Sequence, residues 1–207
     1  MSDRAWLTDE TRKRVRDAIV DIELCTGAEV VATVSARSGH YRHADYLFGA
    51  ISSLAALGFY FLYPEPLFDD VAVVIVIVAF FAGAFFSAAV QGLRRLLVSR
   101  PLMNQNVATT ARSRFVEQGI SATSGRTGIL VYVSLFEDRA EVVPDIGIPV
   151  GRLGERWTKA VEAIDAGARE GVGPFLTALT ALGPILAEAV PRSADDKNEL
   201  PDEVVSA

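Results

Sequence analysis

Cysteine and histidine are nearly absent from this sequence, which has one cysteine and two histidines among 207 residues. With Cys25 alone, no disulfide can form within the chain, and this fits a reducing compartment. Cys25 falls on the apolar side of a predicted helix, so we expect a buried thiol. His40 and His43 lack the further Cys or His that a zinc site requires, so solvation at a membrane surface is the favoured interpretation.

Two kinds of catalytic motif are missing as well. Ser35 and Ser134 have no plausible histidine base, because both histidines stand in the linker before the first apolar run. The sequence has no glycine-rich loop followed by a lysine that would hold nucleotide phosphates. The net charge of −6 argues against nucleic acid as a partner. Hydrolysis by a serine nucleophile and the binding of nucleotides or nucleic acids are therefore poorly supported.

Charged residues and histidine are missing from two long apolar runs, residues 46–63 and 71–90. At about 1.5 Å of rise per residue, each run can cross a hydrocarbon layer of roughly 30 Å. The alternative is a buried helical hairpin in a soluble domain, but helices that are apolar on every side rarely suit a globular core of this size. The runs predict a two-span membrane protein whose first partner is the lipid bilayer. A channel or transporter is disfavoured, since neither span has a charged residue to line a polar path.

The charges beside the two runs predict the orientation. Residues 64–70, between the runs, contain acidic residues and no basic ones, whereas the outer flanks contain Arg37, Arg42, Arg94, Arg95 and Arg100. An excess of Lys and Arg marks the cytoplasmic side of a span. Residues 1–10 are polar, so we expect no cleavable signal peptide. The expected product is a multi-pass protein of a bacterial inner membrane, with both termini and the soluble domain in the cytoplasm.

Small residues form one face of the second run. Ala79, Gly83 and Ser87 recur every four residues, and Gly49 with Ser53 offers a matching face on the first run. Such faces allow helices to approach closely in a membrane. We expect the two spans to pack through them, and the hairpin to bind a membrane protein partner or a second copy of the chain.

The remaining residues alternate between helical and strand patterns. Thr8 begins a helix that Gly27 ends, Gly119 and Gly171 end two later helices, and Pro174 begins a fourth. A break is expected in that fourth helix at residues 183–184. Strands are expected at residues 28–35, 128–135 and 141–145. This order predicts an α/β fold, with a small mixed sheet covered by helices.

The two apolar runs interrupt that fold. Because the sheet needs a strand from before the runs and strands from after them, the number of spans between these parts must be even. The predicted domains are residues 1–44, with the first helix and strand, residues 45–97, the transmembrane hairpin, and residues 98–207, the remainder of the α/β domain.

Several stretches together resemble the TPM-domain family, named from thylakoid proteins linked to photosystem II repair and a modulator of acetylcholine receptors. They are the helix with Ala111 and Phe115, residues 126–128 leading into ILVYVSLFEDRAEVVPDIGI, Trp157, and the closing DDKNELPD of residues 195–202. The resemblance covers residues 104–205, and residues 8–35 look like the usual start of the family. The inserted hairpin departs from the more familiar arrangement of an uninterrupted domain with a terminal span.

The resemblance implies a compact α/β domain that works in the assembly, repair or modulation of membrane complexes. Some members have been assigned acid-phosphatase activity or a bound divalent cation. Our favoured interpretation is a membrane-anchored cytoplasmic module that interacts with, assembles or maintains membrane complexes. The alternative is a metal-assisted, acid-phosphatase-like hydrolase that uses the same carboxylates, and the sequence leaves open whether the chain is an enzyme.

Hard oxygen ligands are grouped near the end of the chain and after a strand. The predicted metal ligands are Asp145, Asp195, Asp196, Asn198, Glu199 and Asp202. Oxygen donors of this kind suit Ca²⁺ or Mg²⁺. The alternative is a solvated acidic tail, since residues 193–207 contain five acidic residues and one lysine. Arg126 can pair with these carboxylates or hold a phosphate, but an exposed arginine at the start of a strand is the favoured interpretation.

Overall fold

The structure is a computed structural model that describes residues 5–63, 69–193, 199–200 and 205–206. The chain divides into two compact units, Met1–Ser38 with Asn104–Ala207, and Gly39–Met103. We call the first the α/β unit and the second the helical unit. The helices are α1 (Asp9–Glu23), α2 (Arg42–Leu62), α3 (Asp69–Ala89), α4 (Gln91–Leu97), α5 (Arg100–Glu117), α6 (Val150–Leu153), α7 (Glu155–Glu170), α8 (Val172–Thr180) and α9 (Leu182–Ala189).

A mixed sheet lies at the centre of the α/β unit. Its strands are β1 (Glu29–Ser35), β2 (Gly128–Ser134), β3 (Arg139–Pro144) and the two-residue β4 (Val205–Ser206), in the order β3-β2-β1-β4. Strand β1 is parallel to β2 and to β4, and β2 is antiparallel to β3. The predicted α/β class with a small mixed sheet is confirmed. Strand β4 was not predicted, because two residues carry too short a pattern to recognise.

Apolar side chains project from both faces of the sheet, because helices cover both faces of its central strands. Alternate residues of β1 and β2 pack on one face against α1, α7, α8 and α9, around Ile19, Ile164 and Leu179. The residues between them, including Leu130, pack on the other face against Phe115 of α5. All seven residues of β2 are buried. This double burial explains why the β2 sequence is a nearly continuous apolar run instead of an alternating one.

The ends of several helices agree with the sequence signals. Thr8 caps α1 by accepting a hydrogen bond from the Thr11 N–H at 3.2 Å. Gly119 has φ of 66° just after α5, and Gly171 has φ of 139° between α7 and α8. Both values lie in a region that side chains with a Cβ rarely adopt, so glycine is required there.

Two local expectations were wrong. Helix α1 ends at Glu23, four residues before Gly27, so Cys25 lies in a turn outside the buried face of α1 and is exposed. The helix expected to break at residues 183–184 breaks earlier, at Ala181. Pro184 has no N–H to donate to the Thr180 carbonyl, and its ring clashes with that carbonyl, so the disruption begins one turn before the proline.

Among the described residues, three helical segments are long and apolar enough to cross a membrane by length and composition: Arg42–Leu62, Val71–Ala89 and Val172–Ala189. The first two are each 11% buried over their most apolar window, and they match the two runs predicted from the sequence. The third is 33% buried and contributes Phe175 and Leu186 to the core of the α/β unit. Its apolar residues are therefore accounted for by the sheet that it covers.

Candidate functional site

Two segments at one edge of the sheet are closely packed against each other. Residues 123–128 lead into β2, and residues 145–148 follow β3. A Cβ on Gly147 would lie less than 3.0 Å from the carbonyl oxygens of Gly125 and Arg126, so only glycine fits. Arg126 has φ of 54°, a value uncommon for a residue with a side chain. Such backbone conformations persist where the surrounding structure imposes them, often at sites with a function.

Asp145 and Arg126 form a bidentate ion pair at this edge. Arg126 Nε donates to Asp145 Oδ2 at 2.8 Å and Nη2 donates to Oδ1 at 3.0 Å, while the Ile146 N–H donates to Oδ1 at 2.8 Å. The Asp145 side chain is 3% exposed and that of Arg126 is 49% exposed. Burial raises the pKa of Asp145, but the bonds from Arg126 and Ile146 outweigh it, and the net pKa lies below its ordinary value. The bond to Asp145 likewise raises the pKa of Arg126.

Glu199, the other predicted ligand that the structure describes, attaches to the same segment. Its carboxylate accepts hydrogen bonds from the N–H and the hydroxyl of Ser124, both at 2.6 Å. These bonds lower the pKa of Glu199. The neighbouring Leu200 N–H donates to Glu29 Oε2 at 3.4 Å. At least residues 199–200 are therefore held on the α/β unit rather than extending freely into solvent.

The predicted ligand set is only partly described. Asp145 pairs with Arg126, and Glu199 binds Ser124, which lies two residues earlier in the same segment. The other predicted ligands, Asp195, Asp196, Asn198 and Asp202, lie outside the described residues. Within the described part of the chain, no three His, Cys, Asp or Glu residues are grouped to hold a metal ion. Arg126 is exposed just before β2, as the favoured interpretation has it, and it also pairs with one of the predicted carboxylates, Asp145. A cation at Asp145 would have to compete with that pairing.

A buried polar network at the opposite edge of the sheet was not anticipated. Ser38 donates to Ser134 at 2.7 Å, Ser134 donates to Glu137, and the Ser38 N–H donates to the other Glu137 oxygen at 2.9 Å. Tyr132 shares a hydrogen bond with the Ser38 hydroxyl at 2.9 Å. Ser38 is the last residue before the chain leaves the α/β unit. The network therefore fixes that exit point, and the only sequence signal for it is polar residues at the end of apolar strands.

The helical unit contains a second bidentate ion pair. Arg94 of α4 donates to Asp45 of α2 through Nε at 2.9 Å and Nη2 at 2.8 Å, and Ser87 of α3 donates to the same carboxylate at 3.0 Å. The side chains of Arg94 and Asp45 are 15% and 10% exposed. One carboxylate thus links the beginning of α2, the end of α3 and α4.

Helices α2 and α3 pack antiparallel along the predicted faces of small residues. A Cβ on Gly83 would lie less than 3.0 Å from the Ser52 side chain, and one on Gly49 would lie 2.8 Å from the Phe80 carbonyl oxygen. Ser53 donates to the Val76 carbonyl at 2.9 Å. Glycine is required at both positions because the helix backbones lie so close together. Gly49, Ser53 and Gly83 of the predicted small-residue faces therefore lie at the contact between α2 and α3.

Comparison with known proteins shows a shared fold. No family model matches the sequence, and no curated protein matches it. The NMR structure of the BA42 protein from the psychrophilic bacterium Bizionia argentinensis is similar, with a TM-score of 0.58 and 17% sequence identity. The match covers 100% of this chain and 99% of that chain. At this identity the likeness extends to the fold and not to a function.

Proposed function

We propose that this chain is a membrane-anchored module of the TPM type, in which α2 and α3 are a transmembrane hairpin inserted in a cytoplasmic α/β domain. The domain would interact with, assemble or maintain complexes of the same membrane. The observation that carries this proposal is that the helical unit exposes its apolar residues. Leu54, Phe61 and Phe85 are 69%, 74% and 77% exposed, and such contiguous apolar surface is unfavourable in water.

Two further features support the proposed arrangement. Parallel neighbours β1 and β2 come from before and after the helical unit, so an even number of spans must separate them. The charged residues between the two apolar runs are all acidic, whereas outside the runs Arg37, Arg42, Arg94, Arg95 and Arg100 outnumber Asp45. That distribution favours an α/β domain on the cytoplasmic side of a bacterial inner membrane.

The topology can be tested with reporter tags at Ser2, after Pro66 and at Ala207. We expect the two terminal tags to report the cytoplasm and the internal tag to report the exterior, because Lys and Arg are retained on the cytoplasmic side. Accessibility to protease on intact cells provides an independent measurement. A C-terminal tag that protease removes from intact cells would contradict the proposal.

A divalent cation site near Asp145 is a further part of the proposal. It is supported by the attachment of Glu199 to Ser124, two residues from Arg126, because this brings a carboxylate from within the acidic segment 195–202 to the Asp145 edge. If the acidic residues converge on Ca²⁺ or Mg²⁺, the ion should raise the thermal midpoint by mass action. The variant Asp196→Asn should lose most of that rise, and Asp17→Asn, an exposed change on α1, should keep it.

The same titration separates the proposed module from the metal-assisted hydrolase. Ion-dependent stability without hydrolysis of a generic phosphomonoester is the expected result for an interaction module. Turnover that Asp196→Asn abolishes would favour the hydrolase. Equal ion effects in the Asp196 and Asp17 variants would show that the cation site is wrong.

A further inference from the structure

Helix α4 is separate from the long apolar helix before it. Helix α3 ends at Ala89, and Val90 has φ of −106° and ψ of 93°, an extended conformation that interrupts the helix. Within α4, Leu93, Leu96 and Leu97 fall in an arc of about 100° at 3.6 residues per turn. None of the residues of α4 is buried, and Leu96 is 83% exposed. The helix is short and amphipathic, and its apolar arc is only partly covered, with Leu93 and Leu97 half-buried and Leu96 exposed.

The ion pair of Arg94 determines which side of α4 meets the hairpin. Arg94 lies outside the leucine arc and reaches Asp45, which also accepts the Ser87 hydroxyl. This contact secures α4 beside the beginning of α2 and the end of α3. Because Asp45 neutralises Arg94 within the helical unit, Arg94 contributes little to the positive charge on the surface of the unit.

The end of the helical unit that holds α4 is strongly basic. Its sequence supplies four arginines, Arg42, Arg94, Arg95 and Arg100, against a single acid, Asp45. Arg42 and Arg100 are exposed. They flank the apolar helices at the same end as the leucine arc. An exposed apolar arc with cationic side chains around it is complementary to the surface of an anionic membrane.

We propose that α4 lies in the membrane interface and that Arg42 and Arg100 bind the headgroups of anionic phospholipids beside it. Leu93, Leu96 and Leu97 enter the boundary between headgroups and acyl chains. Arg94 positions the helix through Asp45 and takes no part in lipid binding. This inference rests on the proposed function, because it requires the hairpin to span the bilayer.

The test uses the full-length protein in a neutral detergent with added phosphatidylglycerol or phosphatidylcholine. We expect phosphatidylglycerol to raise the thermal midpoint more than phosphatidylcholine does, and added salt to reduce the difference by screening. The double variant Arg42→Gln/Arg100→Gln should bind phosphatidylglycerol about 25-fold more weakly, at roughly fivefold per arginine. Arg14→Gln/Arg16→Gln removes the same charge from exposed positions of α1 and should keep the native preference.

Three results would overturn the inference. These are equal shifts with the two lipids, an equal loss of preference in the two double variants, and a shift of the same size with inorganic phosphate. Leu96→Gln should weaken the effect of both lipids, since it removes apolar contact and no charge. Extraction of the membranes with alkaline carbonate reports the proposed function separately. Protein that stays in the membrane without a lipid preference contradicts only the lipid inference, whereas extracted protein contradicts both.

Discussion

The two units of this chain use apolar residues in opposite ways. In the α/β unit, Ile164 and Leu179 are 0% exposed, whereas in the helical unit Leu54 and Phe85 are 69% and 77% exposed. Apolar side chains in the α/β unit are covered by other parts of the protein, and this requires nearly continuous apolar runs in the doubly covered strands and one-sided patterns in the helices. The helical unit requires no such pattern, because every side of α3 would contact apolar groups in a lipid bilayer. This difference is the one expected if the helical unit lies in a membrane, as proposed, and the α/β unit in water.

The ion pairs of the two units also differ in how far their side chains are exposed. The α/β unit places its ion pair of Arg126 and Asp145 at an edge of the sheet, where one partner reaches solvent. The helical unit places its pair of Arg94 and Asp45 where both side chains are largely covered. Both ion pairs include a carboxylate near the end of a secondary-structure element, since Asp145 follows β3 and Asp45 is in the first turn of α2.

The largest expected effect comes from a charge in the middle of α3. Val78 is 59% exposed, and Val78→Asp should disfavour membrane insertion by about 2.5–3.5 kcal/mol. Val116 on α5 is 71% exposed, and Val116→Asp should change stability by less than about 0.5 kcal/mol, because its surroundings are water. The fraction of each variant that resists extraction by alkaline carbonate measures the difference. If both variants behave like the native chain, the two units do not face different solvents.

An intermediate effect is expected at the contact between α2 and α3. Gly83→Leu should destabilise the helical unit by about 1–3 kcal/mol, because its side chain has to displace Ser52 from a contact of two helix backbones. Gly58→Leu is the matched control, since a Cβ at Gly58 meets nothing within 4 Å. The thermal midpoint in detergent and the rate of proteolysis within the helical unit report the change. Equal stability of the two variants would mean that the close approach of the helices is unimportant.

The smallest effect concerns the pH dependence of the α/β unit. Because the pKa of Asp145 is lowered on folding, its pairing stabilises the fold above the unfolded pKa of about 3.9 and is lost as the pH falls through the lower folded value. Arg126→Gln should therefore reduce the thermal midpoint most at neutral pH, and the difference from the native protein should shrink in acid.

Arg156→Gln is the control for that measurement. It breaks a surface pair with Glu188 in which both side chains are more than half exposed, and such pairs contribute about 0–1 kcal/mol. A difference between the native protein and Arg126→Gln that stays constant with pH would show that Arg126 acts through packing and not through the charge of Asp145.

The errors in the sequence-based predictions have a common origin. Cys25 was placed by continuing the helical period of α1, but the helix ends at Glu23 and the next residues turn away from the core. Helix α4 was missed because seven residues next to a long apolar helix look like its continuation. The pairing of Arg126 with Asp145 joins residues on two different loops, and no local pattern indicates which arginine meets which carboxylate.

The sequence by itself determined the order of the longer helices and of β1, β2 and β3, the two apolar helices and the α/β class. Those properties follow from local periodicity, from glycine and proline at the ends of elements, and from the length of uncharged runs. Only the tertiary structure decided which segments meet: α2 with α3 through Gly83, Asp45 with Arg94, Asp145 with Arg126, and Glu199 with Ser124. These contacts join residues separated by 19 to 75 positions in the hydrogen bonds concerned. Their geometry depends on how the elements pack, which no single stretch of the sequence encodes.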